Sequence, residues 1–141
     1  MEYLQDTFVY QLLAAQKRLV AAVKQDFTDS GITHENYITL HFIFENPGLT
    51  QAELAERNDK DRNVIVKTID RLEAAGLVRR VRGTRDRRSF CLFITEEGEA
   101  VVREYWARLV QRQEECLTAL SVEEKKTLMA LLMKVNDEGR T

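Results

Sequence analysis

Between Thr50 and Gly98 the chain sets out four short elements in a fixed order, and that order leaves few folds open. Thr50-Gln51-Ala52-Glu53 is a capping box, in which a hydroxyl and a carboxylate satisfy opposite backbone donors at a helix start. The helix it opens runs to about Asn58 and buries Leu54 and Ala55. A polar turn, Asn58-Asp59-Lys60, leads to a longer helix that Asp61 caps and Gly76 stops. Along it Ile65, Ile69 and Leu72 fall at four- and three-residue steps and form an inward stripe, while Arg62, Asn63, Val66, Lys67 and Asp70 point elsewhere. Leu77 to Val81 and Ser89 to Ile94 read as strands, with Phe90, Leu92 and Ile94 on one face. The basic segment Gly83-Thr84-Arg85-Asp86-Arg87-Arg88 between them makes a hairpin.

Charge is concentrated in the same stretch. From Arg57 to Arg88 there are eleven Lys or Arg against five Asp or Glu, whereas the rest of the chain holds ten basic and eighteen acidic residues. A local basic surface draws phosphates whatever the average charge of the molecule. The charge therefore points to a nucleic-acid-binding module in an acidic helical frame, and the order of two short helices and a hairpin makes double-stranded DNA the expected partner.

The flanking regions read as helices. Leu4, Phe8, Leu12, Ala15, Leu19, Val23 and Phe27 make one apolar stripe over residues 3 to about 27, ended by Asp29-Ser30-Gly31. Thr33 caps the next helix, which is apolar on most faces and so expected at the centre, until Asn46-Pro47-Gly48 breaks it. Thr95-Glu96-Glu97-Gly98 begins a long helix, and the capping box Ser121-Val122-Glu123-Glu124 opens a last one carrying Leu128, Leu131, Leu132 and Val135. The terminal helices hold more apolar residues than a small head needs to cover itself, and a symmetric partner is the economical place to bury them. With 141 residues the chain reads as a single domain, with a head at about 33–98 and dimerisation helices at about 1–30 and 99–141. No apolar run approaches about 18 residues and no leader pattern is visible, so no membrane span and a cytoplasmic location are expected.

A short helix, a tight turn and a second helix with a polar face form the helix-turn-helix plan, and the following hairpin makes it winged. The expected fold is thus mainly α: a winged helix-turn-helix head with N- and C-terminal helices forming a dimerisation region. The runs Leu54-Ala55-Glu56-Arg57, Asp61-Arg62, Ile69-Asp70-Arg71-Leu72-Glu73 and Gly76-Leu77-Val78 resemble the MarR family of transcription regulators. So do Arg85-Asp86-Arg87-Arg88-Ser89 and Ile94-Thr95-Glu96-Glu97-Gly98. The resemblance covers nearly the whole chain in element order, with its specific motifs confined to residues 50–98. It implies a homodimer that binds a pseudo-palindromic operator, acts as a repressor and answers to a small aromatic or lipophilic effector. The chain departs from the family at its turn, Asn58-Asp59-Lys60 in place of an apolar–glycine–apolar run. It departs again where Asn63, Val64 and Val66 replace small hydroxyl residues.

Site residues follow from this reading. Arg62, Asn63, Val66, Lys67 and Arg71 on the second helix, and Arg85 and Arg87 on the wing, are the DNA-contact candidates. Asn63 is the expected base reader, because its amide pairs bidentately with adenine, and a groove-facing valine prefers a thymine methyl. A lone carboxylate at a DNA-facing tip would repel phosphate, so Asp86 is expected to brace an arginine; the resemblance makes Arg88 the first choice. Family members form small-molecule pockets beside their central helix, which makes Tyr37, His41, Phe44, Tyr105 and Trp106 pocket candidates against a plain aromatic core. His34 and His41 lack ligand spacing and Cys91 and Cys116 lack a CxxC partner, so no metal, no cofactor and two reduced thiols are expected. No nucleophile–base pair, paired carboxylates or phosphate loop appears, which argues against an enzyme. The rival reading is a winged-helix adaptor that binds protein and not specific DNA.

Overall fold

The structure, a computed structural model, describes residues 2–27, 32–58, 60–83 and 89–138. The chain forms two compact units, one of residues 23–109 and one of residues 1–22 with 110–141. The described elements are α1 (Phe8–Lys24), α2 (His34–Glu45), β1 (Leu49–Thr50), α3 (Gln51–Arg57), α4 (Arg62–Ala74), β2 (Val78–Arg82), β3 (Phe90–Ile94), α5 (Glu96–Cys116) and α6 (Val122–Glu138).

In the unit of residues 23–109 the helix boundaries are set by single side chains. Thr33 Oγ1 accepts from Asn36 N–H at 3.1 Å to start α2. Thr50 and Glu53 exchange bonds of 3.1 and 3.3 Å to start α3, and Asp61 accepts from Asn63 N–H at 2.7 Å to start α4. Gly76, at φ +77°, ends α4 in a Schellman turn: its own N–H reaches Glu73 O and that of Leu77 reaches Leu72 O. The expected inward stripe is present, with Ile65, Ile69 and Leu72 buried against Leu40, Ile43, Leu54, Val78, Leu92 and Val102. α2 is central, as its all-round apolar pattern implies, and buries Tyr37, Thr39, Leu40 and Ile43.

The hairpin lies over residues 78–82 and 90–94, with Arg80 opposite Leu92. A third strand extends it. Leu49 and Thr50 pair with Leu92 and Cys91, so the antiparallel order is β1-β3-β2 and β3 is the middle strand. Cys91 is consequently half-buried between Thr50 and Val81. Two residues are too few to show alternation, which is why the sequence pattern missed β1.

The unit of residues 1–22 and 110–141 holds most of α1, the end of α5 and all of α6. The continuous first helix expected over residues 3 to 27 is broken in three: a 3-10 turn at Leu4–Asp6, α1, and a second 3-10 turn at Gln25–Phe27. Thr7 is the cause of the first break. Its hydroxyl donates to Leu4 O and accepts from Tyr10 N–H, which caps α1 afresh. Ser121 and Glu124 form the second expected capping box, with bonds of 3.1 and 2.9 Å. Tyr3, Leu4, Phe8, Val9, Met129, Leu131, Met133 and Val135 are all exposed here, Phe8 to 88%.

Candidate nucleic-acid interface

α4 has one buried and one open side. On a 3.6-residue period, Asn63 and Lys67 sit opposite the Ile65–Ile69–Leu72 stripe, and both are exposed. Arg62 and Arg71 are exposed too, and Val64 and Val66 flank the open face at 47% and 36% exposure. No ion pair among the described residues uses Arg62, Lys67 or Arg71. Their charges are therefore free to meet a polyanion. Val66 lies toward the sheet, on a cavity of about 320 Å³ that it shares with Thr50, Gln51, Ala52, Arg62 and Phe90. Arg85, Asp86, Arg87 and Arg88, the expected wing contacts and brace, lie outside the described residues.

The basic stretch is less uniform than its composition. Arg57 donates to Asn46 Oδ1 at 2.7 Å, tying α3 to the end of α2, and Arg82 lies 5.9 Å from the Phe90 ring centroid. Arg80 is spent altogether on the protein. Its side chain, 16% exposed, donates to Asp70 Oδ1 at 2.6 Å, Glu73 Oε1 at 3.1 Å, Gln51 Oε1 at 2.7 Å and Val66 O at 3.4 Å. Its backbone N–H adds a bond to Glu73 Oε2 at 3.1 Å. One guanidinium thus fastens α4 to β2 and to the first turn of α3, and it neutralises the two carboxylates on α4 that would repel phosphate. Sequence reading missed this role, because its partners come from two other segments, α3 and α4, that only folding brings to β2. The signal available was the Asp70-x-x-Glu73 spacing, which puts both acids on one helix face.

The far end of α4 is anchored through Thr95. Thr95 Oγ1 donates to Gly76 O at 2.7 Å and accepts from Gly98 N–H at 3.1 Å, while its N–H reaches Leu77 O at 3.0 Å. The end of α4, the start of β2 and the start of α5 therefore meet at one residue.

A second feature lies between α2 and α5. Tyr37, Ile38, His41, Phe42, Glu45, Trp106 and Leu109 line a cavity of about 270 Å³. Three of the five aromatic candidates are on its wall. Phe44 lies behind His41, edge-on at 5.9 Å, and Tyr105 is buried, stacked on Phe27 at 4.4 Å. Tyr37 Oη lies 2.9 Å from His41 Nδ1, and His41 Nε2 lies 2.9 Å from Glu45 Oε1. Burial, and secondarily the negative charge of Glu45, pushes the Tyr37 hydroxyl up to about 12. Burial also holds His34 below its ordinary value. Among the described residues no three His, Cys, Asp or Glu side chains gather as a metal site.

Comparison with known proteins accords with this geometry. Residues 30–89 match the MarR family. The chain is 33% identical over 110 residues to YybA, an uncharacterized HTH-type transcriptional regulator of Bacillus subtilis (strain 168), covering 78% of this chain and 73% of that one. It is 35% identical over 108 residues to a protein of Thauera aromatica named as a transcriptional regulatory protein for the hcr operon, spanning 77% of this chain and 65% of that relative. Among solved structures it superposes with a TM-score of 0.87 on BpsR of Bordetella bronchiseptica, whose DNA binding is regulated by 6-hydroxynicotinic acid; identity is 23%, over 97% of this chain and 98% of that one. PcaV of Streptomyces coelicolor, solved with its natural ligand, gives 0.81 at 26% identity, over 97% and 96%. The relatives are transcription regulators, not enzymes. A helix-turn-helix with an open, unneutralised α4 face, a winged sheet behind it and this kinship together place the chain in the MarR family of transcription regulators.

Proposed function

We propose that the protein is a repressor that binds a pseudo-palindromic operator as a homodimer and is released by a small effector held between α2 and α5. The observation that carries the DNA reading is the outward face of α4. Asn63 stands in its first turn and Lys67 one turn on, with Arg62 and Arg71 beside them and, among the described residues, no carboxylate partner for any of the three cations. A major groove admits one α-helix, and residues near its N-terminus reach base edges. Arg85 and Arg87 join the contacts on sequence grounds, as arginines of a wing suit a narrow minor groove or flanking phosphates. The homodimer is supported by the apolar residues exposed on α1 and α6, and the effector by the α2–α5 cavity.

Purified protein retained on genomic fragments at two salt concentrations, with the retained DNA sequenced, tests the reading. A recovered pseudo-palindrome with salt-dependent affinity is the expected result. Asn63→Ala should then alter preference at one base position, whereas Lys67→Ala should weaken all sequences alike and lower the salt slope by about 1. Weak, sequence-blind retention by a folded protein would overturn the DNA reading in favour of a protein-binding adaptor.

A further inference from the structure

The α2–α5 cavity has a definite charge. Of its seven described lining residues Glu45 is the one acid, and none is Lys or Arg. Glu45 is 56% exposed by side chain, and among the described residues its one ionisable partner is His41. Two arginines of α5 have partners outside the lining. Arg103 lies 5.7 Å from the Phe44 ring centroid, and Arg108 lies over Tyr105 at 5.1 Å while bonding Glu104 at 2.8 Å. The remaining wall is aromatic and aliphatic, with the Trp106 indole half exposed and 5.1 Å from the His41 ring.

We propose that this cavity takes a small aromatic cation, an amine or amidine carried on one or two rings, in preference to an aromatic acid. The inference rests on the effector reading of the same cavity and adds the chemical class. A cation finds a carboxylate at Glu45 within a wall that includes the aromatic rings of Trp106, Tyr37 and Phe42, and aromatic rings attract positive charge through their quadrupole. An aromatic carboxylate finds no Lys or Arg among the described lining residues and meets Glu45 as a like charge. The field already acts on a resident group, since Glu45 helps to keep the Tyr37 hydroxyl un-ionised. A volume of about 270 Å³ is at the small end for ligand sites, which sets the limit of one or two rings.

Trp106 is the only tryptophan of the chain, so its fluorescence reports directly on the cavity. The test titrates the full-length protein with benzamidine, benzamide and benzoate, three probes of one shape and different charge, and follows each by calorimetry as well. Benzamidine should bind at least about tenfold more tightly than benzoate, a difference of about 1.4 kcal/mol, with benzamide between them. Glu45→Gln, a near-isosteric change at a half-exposed position, should bring benzamidine to the level of benzamide and leave benzamide itself unchanged. Benzoate binding as tightly as benzamidine would overturn the proposal, and so would a Glu45→Gln protein that keeps the cation preference. Cation preference without any effect on DNA retention would support the ligand class and remove the effector role. Silence from all three probes would remove both.

Discussion

Removing the Arg80 guanidinium leaves Asp70 and Glu73 on α4 without the cation that both contact. Hydrogen bonds to charged groups are worth about 1.5–3 kcal/mol each, and exposure of both acids, 58% and 42%, places the effect in the lower part of that range. Arg80→Ala should therefore lower unfolding free energy by about 1.5–2 kcal/mol. Arg80→Lys should recover only part of that, because an ammonium cannot span two carboxylates and Gln51 at once. The measurement that identifies its role is DNA binding against salt. Arg80 faces the protein, so its loss should weaken binding without changing the salt slope, whereas Lys67→Ala should change it. An equal fall in slope for both variants would make Arg80 a phosphate contact. Tyr37 offers a second single-residue test. Its hydroxyl is raised from 10.0 to about 12, so above pH 10 the unfolded chain releases a proton that the folded chain retains. Stability is full below pH 10 and declines as pH climbs toward 12. In an ultraviolet phenolate titration Tyr37→Phe should delete a step near pH 12 and flatten the alkaline decline. Retention of that late step in the variant would assign it to another tyrosine.

Two glycines separate two physical reasons for having no side chain, and both act on how elements join. A Cβ at Gly98 would lie 2.3 Å from Leu77 O and 2.6 Å from Ile94 Cγ1, so the start of α5 touches the exit of α4 at backbone distance. At Gly76 a Cβ would meet nothing within 4 Å, but φ is +77°. Gly98→Ala should cost about 3 kcal/mol, the upper end of overpacking. Gly76→Ala should cost about 1–2 kcal/mol for its left-handed backbone alone. Gly76→Asn should restore stability at the second site, since asparagine tolerates that conformation; no residue larger than glycine should restore it at Gly98. Chemical denaturation of the three variants checks the pattern, and a fully stable Gly98→Ala would refute the close approach. The same distinction explains what the amino-acid order disclosed. Thr33, Thr50, Asp61, Gly76 and Ser121 act on backbone groups within a few residues of themselves, so their roles were legible. The Arg80 network, strand β1 and the tight contact at Gly98 depend on segments brought together by folding, and no local pattern encodes them. The cavity falls between these cases. Tyr37, His41 and Trp106 stood out as aromatics, but Glu45 was passed over although Tyr37-x₃-His41-x₃-Glu45 places all three on one helix face.

At the scale of the molecule, the decisive quantity is how much apolar surface a single copy leaves in water. In the unit of residues 1–22 and 110–141, Leu4, Phe8, Val9, Met129, Leu131, Met133 and Val135 are each more than half exposed. Soluble monomers rarely present so many large apolar side chains in one compact unit, and a two-fold partner buries a self-complementary patch at no further sequence cost. The expected mass in solution is twice the 16.4 kDa of the chain, measured by light scattering at micromolar concentration. Phe8→Glu and Leu131→Glu, which place charge on positions that are 88% and 55% exposed in one copy, should give the single-chain mass. Both substitutions lie outside the 23–109 unit in sequence, so the single-copy head should keep its helical signal and its weak affinity for half an operator. Linked heads bind with an effective concentration that separate heads lack, so the same variants should lose about 10²–10⁴-fold on the full pseudo-palindrome. The salt slope should fall by about half as well, because one head contributes half the phosphate contacts. A wild-type protein of single-chain mass that still binds both half-sites with the full slope would show that DNA, and not the apolar faces of α1 and α6, brings the two heads together.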